Sequence, residues 1–100
     1  MFILLYSMFV SVVLDPSSMD SAKSLSTVLT HLGFKKIQRA CWEHTSVSEQ
    51  LFSSLKKEID RVTDYYDKVR IYQYPVDGMF AITELSKKKW KRGILRSPTT

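Results

Sequence analysis

The chain has 100 residues, 44% of them hydrophobic and 25% charged, with three glycines and three prolines. That length is one domain, and that balance excludes general disorder. The net charge of +5 is uneven: Met1 to Ser86 carries nine Lys/Arg against ten Asp/Glu, whereas Lys87 to Thr100 carries six basic residues and no acidic one. Charge alone therefore does not make the body a nucleic-acid binder.

Met1 to Leu14 is almost wholly apolar. No Lys or Arg precedes it, and it ends in Asp-Pro rather than at a small-residue cleavage site. Fourteen residues also fall short of the ~20 that span a bilayer. The expectation is a cytoplasmic protein that begins with a strand and makes no membrane contact. Met1 to Ser7 would be an N-terminal extension or edge segment, with Met8 as an alternative start. Cys41 stands alone, which suits a reducing compartment and a small buried hydrophobe.

Met8 to Leu14 holds three valines and reads as a strand buried on both faces. Asp15 falls where that strand stops, because Pro16 has no N–H for a ladder. Ser17, Ser18 and Asp20 offer N-caps for a helix with an apolar stripe at Ala22, Leu25, Val28, Leu29 and Leu32, closed by Gly33. Phe34 to Thr45 reads as strand, broken or bulged near Arg39-Ala40. Ser46 and Glu49 form a capping box for a second helix whose stripe is Leu51, Leu55, Ile59, Val62 and Tyr66, ending near Asp67. Lys68 to Val76 alternates as a strand, Asp77-Gly78 is a turn, and Met79 to Leu85 is a strand before the basic tail.

Two helices among at least four strands predict an α+β fold, a ferredoxin-like βαββαβ sandwich. It would be one domain over residues 1–86, its antiparallel sheet carrying both helices on one face. A basic tail over 87–100 would follow, with room for a further C-terminal strand. A chain this small buries only about 60–65% of its unfolded surface, so a homodimer would add useful burial.

Gly-rich phosphate loops, paired cysteines and His-Glu-x-x-His are all absent from the sequence. The chemistry rests on Asp15. A carboxylate at the mouth of a rigid strand either closes an Asp-Pro turn or offers an oxygen to a metal. Mg²⁺ needs only one or two carboxylates beside waters and phosphate oxygens, and a two-fold dimer would bring two copies of Asp15 together. The shared metal would polarise a phosphodiester and activate water. Lys87, Lys88, Lys89, Lys91 and Arg92, with Trp90 among them, suit phosphate contact and stacking, or else a solvated end. Lys23, Lys36 and Arg39 are the candidate phosphate contacts on the body.

The strand ending in Asp15, the segment Gly33-Phe-Lys-Lys-Ile-Gln-Arg-Ala-Cys-Trp-Glu43 and Val69-Arg-Ile-Tyr72 together resemble a small CRISPR-associated adaptation protein, the Cas-two family. The resemblance spans about Met8 to Met79. It implies a ferredoxin-like homodimer whose last strand joins the partner's sheet, with Asp15 as the metal ligand facing its twin. It further implies a role in spacer acquisition, bridging the adaptation integrase, Cas-one, along DNA. Metal-dependent endonuclease activity on DNA or RNA would accompany that role in some members and scaffolding in others. Leu14 stands where the family often has Tyr, and Lys23 is the sole cation early in the first helix, which favours scaffolding over cleavage. The virulence-associated toxin ribonucleases show a weaker likeness through the strand–helix–Gly-Phe–Gln layout. A non-catalytic regulatory module of the same fold is the third reading.

Overall fold

The alternation of apolar and polar residues along each strand sets which side of the sheet is covered. In the computed structural model, which describes residues 7–95, the first strand β1 is Met8–Asp15. Met8, Val10, Val12 and Leu14 are buried, while Phe9, Ser11 and Val13 are only half-buried. β1 is thus covered by helices on one face rather than both. Its valines reflect a central position: the six-stranded antiparallel sheet runs β2-β3-β1-β4-β5-β6. The remaining strands are β2 Lys35–Gln38, β3 Cys41–Val47, β4 Lys68–Val76, β5 Met79–Ser86 and β6 Lys89–Leu95. The segment expected to break near Arg39-Ala40 is a hairpin turning there. The first four elements of the sheet order, with the helices α1 Met19–His31 and α2 Glu49–Val62 between strands, give the ferredoxin-like architecture; β5 and β6 extend it. Met1 to Tyr6, most of the expected extension, lies outside the described residues.

Both helices begin at a serine. Ser18 caps α1 by accepting the Ser21 N–H at 3.1 Å, and Ser48 caps α2 by accepting the Leu51 N–H at 3.0 Å. The expected cap of α2, Ser46, instead lies in β3, because buried Val47 keeps the chain in the ladder for one more residue. α1 closes as predicted at Gly33. With a φ of 89°, its N–H reaches the Thr30 carbonyl and the Phe34 N–H reaches Leu29, the paired bonds of a Schellman stop.

α2 is shorter than the apolar spacing implied. It ends at Val62, and Thr63 turns extended with its hydroxyl on the Ile59 carbonyl. Tyr66, expected on the buried stripe, is 74% exposed. The core lies between the helices and one sheet face. Leu25 and Leu29 of α1 and Leu55 and Ile59 of α2 meet Val10, Val12, Ile71 and Leu85 there. Each such side chain contributes roughly 1.5–3 kcal/mol of transfer free energy.

The expected tail is a strand over most of its described length. β6 pairs antiparallel with β5 from Ser86↔Lys89 to Phe80↔Leu95. Trp90 faces the helices, packs on the core and donates its indole N–H to Asp60 at 3.1 Å. That apolar anchor explains why a cation-rich segment joins the sheet. The family resemblance placed the last strand in a partner's sheet, whereas here β6 completes the chain's own. Arg96 lies outside the described residues.

Candidate metal and nucleic-acid interface

Asp15 closes β1 on the sheet face without helices, opposite Lys68 in the β1–β4 register. It is exposed and, among the described residues, makes no side-chain hydrogen bond or salt bridge. It lines a shallow cleft of about 270 Å³ with Lys68, Arg70, Glu84 and Ser86. The Arg70 guanidinium in this cleft is paired with the Glu84 carboxylate at 2.5 Å and lies 5.5 Å from the Tyr72 ring. Among the described residues no three His, Cys, Asp or Glu side chains come together. With Glu84 paired to Arg70, this cleft offers a divalent cation the Asp15 carboxylate, and a shared site needs waters, phosphate oxygens or a second copy. The donor chemistry fits Mg²⁺ in that sense, an oxygen ligand with its lone pairs uncommitted.

Asp67, another carboxylate near this end of the molecule, has the opposite character. Asp67 is fully buried and accepts four hydrogen bonds, two from Ser17, one from Ser21 and one from the Asp64 N–H. Burial pushes its pKa upward, but the Ser17 and Asp64 backbone bonds and the two serine hydroxyls outweigh it and hold the carboxyl below its usual value. Asp67 fixes the segment that follows Asp15: the start of α1 is tied to the turn before β4. Sequence reasoning placed it as a helix end and missed this role. The signal was the pair of serines after Asp15, Ser17 and Ser21, whose hydroxyls both find their acceptor in Asp67, Ser21 in a buried place.

The candidate cations do not form one patch. Lys23 is exposed on α1, Lys36 lies 6.0 Å from the Trp42 ring on β2, and Arg39 is exposed in the β2–β3 turn. Lys89 and Lys91 point to the helix-free face, opposite Ser86 and Glu84. Arg92 alternates to the helix side, opposite Thr83. Lys87 and Lys88 form the β5–β6 turn at positive φ, 53° and 58°. Lys88 is committed: its ammonium bonds the Asp60 and Thr63 carbonyls at 2.7 and 3.1 Å, capping the C-terminus of α2. It is a structural lysine rather than a free phosphate contact.

The helix-free face also carries exposed apolar side chains. Tyr74 and Phe80 pair with centroids 4.6 Å apart, and Leu95 lies opposite Phe80 on β6. Tyr74, Phe80 and Leu95 are 42%, 45% and 56% exposed, a contiguous apolar patch at the opposite end of this face from Asp15, since Phe9 pairs with Tyr74 and Asp15 with Lys68.

Comparison with known protein families, curated proteins and solved structures finds no match. No helix is long and apolar enough to cross a membrane, among the described residues.

Proposed function

We propose that this chain works as a homodimer that binds nucleic acid, with two copies of Asp15 holding a divalent cation between them. The observation that carries the reading is the free Asp15 carboxylate, exposed at the end of a central strand whose backbone is held on both sides by β3 and β4. The half-buried Val13 and Tyr72 on the same face, nearer Asp15, supply surface for a second copy. Lys68, Lys89 and Lys91 on that face, with Lys36 and Arg39 beyond it, supply phosphate contacts. The likeness to the Cas-two family supports the same assignment. In that role the dimer bridges the adaptation integrase during spacer acquisition, and Mg²⁺-dependent endonuclease chemistry at the paired aspartates is the activity to test.

In such a centre the metal supplies Lewis acidity toward a phosphate oxygen and lowers the pKa of bound water. The chain's own part is to fix the carboxylate and to surround it with Lys68 and Arg70.

The test is sedimentation of the full chain followed by cleavage of labelled single- and double-stranded DNA and RNA with and without Mg²⁺. A dimer whose metal-dependent cleavage disappears in Asp15→Asn, with melting unchanged, supports the reading. A monomer that binds no nucleic acid overturns it. A dimer that binds nucleic acid and cuts nothing retains the scaffold and removes the nuclease.

A further inference from the structure

A second cleft opens on the opposite, helix-bearing side of the sheet. Its volume is about 420 Å³, and it runs between the start of α2 and the β4–β5 turn. That size is in the range of small-molecule sites. Its apolar wall is Met8, Phe52, Pro75 and Val76, and its charged residues are Glu49, Asp77 and Arg92.

Two features set it apart from an ordinary surface groove. First, Gln73 on its wall is 3% exposed; the amide nitrogen is within 3.4 Å of the Met8 sulfur, but Oε1 has no hydrogen-bond partner among the described residues. An unpaired buried amide oxygen is costly, so a donor that reaches it has something to gain. Second, among the described residues Arg92 makes no salt bridge within 4.0 Å to either acid, although all three line the same space. Opposite charges are held apart across an apolar cleft. Glu49 has a local reason for its place, since an acid in the first turn of α2 suits the helix dipole. Arg92 has none.

We propose that this cleft binds a free α-amino acid with an apolar side chain. The ligand's carboxylate meets the Arg92 guanidinium in a bidentate pair. Its ammonium meets Glu49 or Asp77 and, after a turn of the Gln73 amide, Oε1. Its side chain lies against Phe52 and Val76. A ligand carrying both charges satisfies both sides of the cleft, whereas a simple anion would meet two acids and a simple cation would meet Arg92. The site is independent of Asp15 and of the nucleic-acid reading, and either can fail without the other.

Leucine is the probe, titrated into the ¹⁵N-labelled full chain, with N-acetylleucine and leucinamide as arms that each lack one charge. The expected result is saturable shifts at Phe52, Val76 and Asp77 with leucine, and binding at least ~10-fold weaker for each capped compound. Arg92→Gln weakens leucine by a similar factor and does not weaken leucinamide, which loses a like charge rather than a partner. Gln73→Leu, which keeps the fold by replacing a buried amide with an apolar group, also weakens leucine. The proposal is overturned if leucine gives no saturable shift, or if the three compounds bind alike and Arg92→Gln changes none of them.

Discussion

Ser17 gives both its backbone N–H and its hydroxyl to one oxygen of Asp67, at 2.7 and 2.8 Å, across fifty residues of sequence. The second oxygen takes the Ser21 hydroxyl and the Asp64 N–H. One buried carboxylate therefore holds the loop after β1, the first turn of α1 and the turn after α2.

Removing that carboxylate leaves the buried Ser21 hydroxyl and three partly buried donors without their acceptor. Asp67→Ala is expected to lower unfolding free energy by about 3 kcal/mol, read from urea titration. Asp67→Asn loses less, because its amide oxygen still accepts. An Asp67→Ala protein as stable as the parent would remove Asp67 from this structural role.

The same group sets an acid dependence. Its folded pKa is below the usual value of 3.8, so the unfolded chain binds the proton more tightly. The stability it contributes is fully present above that unfolded value and is lost as pH falls below about 4 toward the folded value. Asp67→Asn is expected to flatten the stability–pH curve in that window, measured by melting at a series of acidic pH values.

Lys87 and Lys88 occupy adjacent positive-φ positions, where side chains with a Cβ are strained. Lys87→Gly is expected to raise stability by about 1 kcal/mol by relieving that strain. Lys88→Gly gains no such benefit, since it also strips the cap from the Asp60 and Thr63 carbonyls. Thermal melts of the two variants, compared directly, check the contrast.

Nucleic-acid binding should distinguish the lysines in the same way. Replacing Lys89 and Lys91 together by Gln is expected to lower the slope of log K against log salt by nearly 2 on duplex DNA. Lys88→Gln should leave the slope unchanged, because its ammonium is spent on α2. Fluorescence anisotropy over a salt series makes the measurement, and equal effects from all three lysines would return Lys88 to the phosphate-contact set.

The ferredoxin-like order was legible because its signals are local. The alternation in Val69–Gln73, the stop at Gly33 and the Asp77-Gly78 turn each depend on a few neighbouring residues. What escaped depends on contacts between distant segments. Ser46 and Glu49 match a capping box, but the burial of Val47 in the sheet moves the cap to Ser48. Leu51 to Tyr66 keeps helical spacing to its end, yet the chain leaves the helix at Thr63 so that Asp67 can reach Ser17. The cation run at 87–92 looks solvated until Trp90 finds Asp60 and the core. At the candidate site, Asp15 was legible from the apolar run before it, while Lys68, Arg70 and Glu84 became its neighbours only through strand register.

The pairing of Ser86 with Lys89 has a consequence for any shortened version of this protein. A chain cut at Ser86 would leave the β5 backbone unpaired along its outer edge and strip the indole from its seat beside α2. Such a fragment would bind poorly, clump or unfold because its flank was laid bare, whatever the positive charge had contributed. Charge at this end has to be removed one side chain at a time.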